Sequence, residues 1–137
     1  MAFNIGINTQ KEFLHIRAEG VIQPAEIDGY YEKLSHTEGA GQCKISLVDL
    51  TYPGMSLREV SLLSVRNMGW QFKVRPIMPK GSKMAFVAKK NLVYGFVRVF
   101  MARRGEDLEI MVFSSMEEAM AWLEIEVSDL VLEDVSS

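Results

Sequence analysis

Cysteine occurs once in this chain and histidine twice, and these scarcities narrow its chemistry from the outset. Cys43 has no internal partner, so no disulfide framework holds the fold, and a reducing compartment is the natural expectation. His15 reads as the outward face of a strand and His36 as a helix end, and neither reads as a catalytic or metal-ligating residue. No apolar run approaches the roughly 20 residues that a membrane-spanning helix needs. The opening MAFNIGINTQ lacks a basic region followed by a long apolar core, so no signal peptide and a cytoplasmic location are expected. G-x-S-x-G, the P-loop pattern and G-x-G-x-x-G are all absent, which removes the common signatures of a nucleophile elbow, an NTP site and a dinucleotide site. These absences favour a binding module over an enzyme, with no cofactor.

What is present suits one α/β domain. The 137 residues, 48% of them hydrophobic, are most simply one domain, long enough to bury about two-thirds of the unfolded chain's surface. We expect a domain over 1–126 and an acidic tail over 127–137. The net charge of −3 hides a partition. Between Arg66 and Arg104 there are ten Lys/Arg and no acid, and from Gly105 to the end ten Asp/Glu and no base. Such blocks create local potentials that matter for association more than for fold.

Period-two alternation in FNIGIN (3–8) and EFLHIRAEG (12–20) predicts a hairpin of half-buried strands. Pro24 suits a first helical turn, and Ile27, Tyr30, Tyr31 and Leu34 share one helical face. KISLVDL (44–50) reads as a central strand. Ser56 and Glu59 match a capping box, predicting a helix from 56 to about Trp70. KMAFVA (83–88) and LEIMVF (108–113) are further strands. In SSMEEAMAWL (114–123), Ser115 and Glu118 form a capping box, and Met116, Ala119, Met120 and Leu123 make a buried stripe. The run NLVYGFVRVFMA is ambiguous. Its β-branched and aromatic residues suit one arm of a hairpin turning at Gly105, whereas a cap at Asn91 and a right-handed crossover between flanking strands favour a helix. The helical reading gives the order β-β-α-β-α-β-α-β-α, an α/β layer architecture.

That order, the VDL strand end at 48–50, the NLVYGFVRVF segment and the FSSMEEAMAWL ending together resemble SpoIIAA-like proteins of the STAS superfamily (sulfate transporters and anti-sigma-factor antagonists), over roughly residues 3–125. The resemblance implies a mixed, mostly parallel sheet with an N-terminal antiparallel hairpin, a helical 91–104 and no bound cofactor. In the better-known antagonists a serine in Asp-Ser-Ser-Gly, at a helix start after the third strand, is phosphorylated. Here the region reads DLTYPGMSLRE. Asp49 matches the acid, Ser56 stands at the expected helix start, and Asp-Ser-Ser-Gly itself is missing. Ser56 is therefore a candidate phosphoacceptor or simply a helix cap.

Asp49, at a strand end where α/β sheets line ligand crevices, is either a site residue or a partner of the amides in the loop that follows it. On a helical wheel for 91–104, one side can cover the sheet while the side near Tyr94, Val97 and Met101 is left apolar. Either the neighbouring loop and tail cover that side, or it is an interface or a lipid-facing gate. With Arg98, Lys89 and Lys90, these residues form the candidate ligand or partner surface. The leading expectation is a non-enzymatic module that acts through protein contact and self-associates, as a homodimer. The alternative is a carrier or sensor of a small apolar or anionic, lipid-like ligand. Trp70 and Phe72 flank the basic block as they would in a nucleic-acid binder, but the acidic last third opposes it, and nucleic acid is not the expected partner.

Overall fold

Five strands hydrogen-bond in chain order into one sheet: β1 (Phe3–Asn8), β2 (Phe13–Ala18), β3 (Ile45–Asp49), β4 (Ser82–Val87) and β5 (Leu108–Phe113). The computed structural model describes residues 2–103 and 108–132; Arg104, the Gly105 turn and the tail beyond 132 lie outside the described residues. β1 and β2 pair antiparallel, with Ile5 opposite Ile16. β2 to β5 are parallel, with Ile16 opposite Val48 and Val48 opposite Phe86. Parallel neighbours need crossover connections, and these are α1 (Pro24–Ser35), α2 (Leu62–Val74) and α3 (Asn91–Arg103). Successive crossovers of one hand, advancing in one direction along the sheet, lay all three helices on one face. α4 (Met116–Leu123) follows the last strand and covers the other.

The chain is thus α/β with the expected element order, and the hairpin alternative for residues 91–103 does not form. Local β propensity in that segment yields to burial: coiled as a helix, it brings Val93, Phe96, Val97 and Phe100, at i, i+3, i+4 and i+7, into the core on one face. Strand alternation divides the core. Leu14, Ile16, Val48, Met84, Phe86 and Ile110 face α1, α2 and α3. Phe13, Leu47, Ala85 and Val87 face α4, meeting Ala119, Met120 and Leu123.

The ends of α1 and α4 follow local chemistry. Pro24 opens α1, and the Gln23 backbone N–H donates to the Glu26 carboxylate at 2.9 Å. Ser115 caps α4, its hydroxyl accepting from the Glu118 amide at 3.2 Å. The helix start at Ser56 is a correction. α2 begins six residues later, capped by Ser61, whose hydroxyl accepts from the Ser64 amide at 3.1 Å. Ser56 instead bridges to Val21: its amide donates to Gly20 O and its carbonyl accepts from the Ile22 amide, both at 2.9 Å. The competing demand is burial. Met55, Leu57 and Val60 all enter the core from this non-helical segment, and burying such side chains outweighs a cap worth about 1 kcal/mol. Ser56 is therefore neither a helix cap nor at a helix N-terminus.

The two serines make this placement testable by urea denaturation. Ser61→Ala is expected to cost about 1 kcal/mol through loss of the cap, and Ser56→Ala to stay within about 0.5 kcal/mol. The reverse ranking would contradict the observed helix start.

Candidate functional site

α2 packs between α1 and α3, and its buried stripe, Val65, Gly69 and Phe72, faces the core shared with the sheet. An apolar cavity of about 60 Å³ lies there. Phe3, Val48, Met84 and Phe86 form its floor; Ile27 and Tyr30 of α1 and Phe96, Val97 and Phe100 of α3 form its walls; Val65, Met68 and Phe72 of α2 roof it. Its surface is contributed almost wholly by carbon. Burial pushes the Tyr30 phenol well above its ordinary range, so this wall stays neutral. An ordered water needs two to four polar partners, which this lining does not offer. The cavity can therefore hold apolar matter by dispersion and exclusion of water, and it supplies no acid, base or nucleophile.

A polar cluster occupies the opposite face, at the carboxyl ends of β2 and β3. His15 is a correction: it is 3% exposed, not outward-facing in solvent. The segment from Asp129 to Leu132 folds over that side of the hairpin. The Leu132 amide donates to His15 Nδ1 at 3.3 Å, and Asn8 Nδ2 donates to the Asp129 carbonyl at 3.1 Å. Gly6, opposite His15, permits this approach, since a Cβ there would lie 3.1 Å from the Val131 side chain. An accepting Nδ1 places the imidazole proton on Nε2, which has no hydrogen-bond partner among the described residues. Burial, with the Arg17 charge adding to it and Asp49 opposing it, lowers the His15 pKa from 6.5 to about 4.

The rest of the cluster is occupied with itself. Arg17 Nε pairs with Glu19 at 2.9 Å, and its guanidinium lies 4.4 Å from the centre of the Tyr52 ring. Asp49 Oδ1 accepts from the Thr51 amide at 2.8 Å and from its hydroxyl at 2.6 Å, the local partner anticipated as its structural role. Cys43 is buried, its thiol donating to the Gly39 carbonyl at 3.5 Å, and burial raises its pKa, the reverse of what activates a nucleophile. Among the described residues no group of three or more His, Cys, Asp or Glu is arranged to hold a metal, and no helix is long and apolar enough to cross a membrane.

A scan against protein-family models matched none, and neither the curated proteins nor the solved structures gave a match.

The candidate surface residues do not gather in one place. Val97 is buried and lines the cavity, and Met101 is half-buried against the same core; both leave the open apolar face that the helical wheel assigned to them. Tyr94 and Arg98 are exposed on α3, and Lys89 and Lys90 are exposed just before it. Asp49 lies across the sheet from the cavity, and Ser56 sits at the β2-end bridge. The α2 contribution, Val65, Met68 and Phe72, was missed in the sequence. Its signal is the 3-4-7 spacing of Val65, Met68, Gly69 and Phe72, obscured by starting the helix at Ser56.

The buried imidazole has a signed consequence for stability. Its folded pKa of about 4 lies below the unfolded 6.5, so the unfolded chain binds the extra proton and stability falls as pH drops through that window. A loss of about 2 kcal/mol is expected from this group between pH 7 and pH 5. Urea midpoints measured across that range should show a flatter dependence for His15→Leu than for wild type; parallel profiles would mean that His15 is not buried neutral.

Proposed function

We propose that the chain is a non-enzymatic binding module of the SpoIIAA-like kind whose ligand is a small apolar molecule, or one apolar branch of a larger lipid-like one, held beneath α2. The carrying observation is the carbon-lined cavity between the three helices and the sheet. Its about 60 Å³ is less than half of the 150 Å³ or so that admits a benzene ring. A ligand of useful size therefore enters as α2 moves outward. Such a motion would part Val65, Met68 and Phe72 of α2 from Val48, Met84 and Phe86 of the sheet, with which they line the cavity. The SpoIIAA-like assignment belongs to this proposal and is supported by the order of elements and the hairpin-plus-parallel sheet.

Self-association through α3 has thinner support. With Val97 buried and Met101 half-buried against the core, the exposed apolar residues at the start of α3 reduce to Leu92 and Tyr94. Charge also opposes it: a two-fold contact presents the same patch on both subunits and would set Arg98 near its own copy.

The neutral fluorophore N-phenyl-1-naphthylamine tests the cavity directly. Wild-type protein should bind it saturably at one site. Val97→Phe, which fills the cavity from its α3 wall, should weaken binding at least about tenfold, or ~1.4 kcal/mol, while the melting temperature stays within a few degrees. Equal binding by both proteins, or none by wild type, would remove the cavity reading.

A further inference from the structure

The outward face of α2 is unlike an ordinary solvated helix surface. Leu62, Leu63, Trp70 and Val74 are each more than half exposed. At 100° per residue, these four share one arc of about 120° with Arg66 and Lys73. Arg66 and Lys73 are exposed as well, and the Lys73 ammonium lies 5.1 Å from the centre of the Trp70 ring. α3 packs beside α2 and carries exposed Leu92 and Tyr94 on opposite edges of its open side, with Arg98 between them and Lys89 and Lys90 just before the helix. No acid occurs between residues 66 and 104. Asp28 and Glu32 of α1 approach this face only at its α1 border, beside Trp70.

Aliphatic side chains, a tryptophan and a tyrosine set among Lys and Arg are what an interfacial helix presents to an anionic bilayer. We infer that the α2 face, with the start of α3, is a docking surface for an anionic membrane. The occupant follows from charge. A second copy of the chain would set Arg66, Lys73 and Arg98 against their own images, with no acid on either helix to relieve them. Phosphate headgroups complement them, and the apolar side chains between can enter the headgroup layer. The opposite side of the molecule completes the orientation. Exposed Glu109, Glu117, Glu118, Glu124 and Glu126 lie on or beside the α4 face, where Lys83 is half-buried over Trp122. An anionic surface repels that side and attracts the other.

The inference concerns the outer side of α2 and stands apart from the cavity on its inner side. It is tested with vesicles of phosphatidylcholine alone and of equal parts phosphatidylcholine and phosphatidylglycerol, in a Trp122→Phe background that leaves Trp70 as the sole tryptophan. Expected results are co-sedimentation and a blue shift of Trp70 emission with the anionic vesicles only, both lost at high salt. Leu63→Glu, at an exposed position, should abolish binding with the fold intact by circular dichroism. Arg66→Glu with Lys73→Glu should weaken it by roughly tenfold or more, and Met111→Glu on the opposite face should leave it unchanged. Absence of binding, equal binding to neutral vesicles, or a dimer in light scattering that Leu63→Glu dissociates would each overturn the assignment, the last by giving the face to a second copy.

Discussion

The helical layer depends on one ring. Phe72 of α2 meets Tyr31 of α1 edge-on, with centroids 5.2 Å apart, and meets Phe100 of α3 at 5.5 Å; Phe100 in turn stands edge-on to Phe86 of β4 at 5.6 Å. α2 is therefore tied to the sheet through this aromatic relay, each link adding about 1 kcal/mol beyond its buried area. A helix held at its sides leaves space beneath it. At about 24 cal/mol per Å³, the void costs roughly 1 to 2 kcal/mol, small enough for the relay to sustain. Gly69, in the middle of the α2 buried stripe, lowers that helix's own stability by about 1 kcal/mol relative to alanine. The roof is thus held from both sides, by α1 and by α3, above a space that its own residues help to line.

Topology sorts the charges as well as the helices. Crossovers of one hand put α2 and α3, the basic block, on one side of the sheet, and the chain reaches the other side only after β5, where the acidic last third begins. A linear partition in the sequence becomes a spatial one across a sheet. The result is a molecule of small net charge, −3, with a basic α2–α3 region on one side and an acidic α4 region on the other, and a single net figure conceals that arrangement.

Where periodicity and capping agreed, the sequence was legible. The stripe of Ile27, Tyr30, Tyr31 and Leu34 is the buried face of α1, and Ser115 caps α4 as its spacing to Glu118 predicts. The 91–103 segment was undecided because its local preferences conflict; the core that Val93, Phe96, Val97 and Phe100 join, assembled from distant strands and helices, decided it. Ser56 misled because a capping box is a four-residue signal, while the burial of Met55, Leu57 and Val60 depends on a partner strand far along the chain. His15 misled for a similar reason. Alternation placed it correctly on the side away from Leu14 and Ile16, but its cover comes from Leu132, 117 residues later. The cavity was least legible of all, since its lining comes from three strands and three helices, which no window of sequence contains.

The sheet also separates the two parts of the molecule that respond to different conditions. β3 gives Val48 to the cavity and Leu47 and Asp49 to the α4 face; β4 gives Met84 and Phe86 to one side and Ala85 and Val87 to the other. His15 and the segment that covers it lie wholly on the side away from the cavity. Protonating His15 removes the acceptor for the Leu132 amide and strains one side of the hairpin, while the cavity, lined by carbon and closed by aromatic packing, contains no group that titrates near neutral pH. Acid should therefore loosen the 129–132 segment before it changes the space under α2, so that ligand occupancy and global stability respond to pH through different residues.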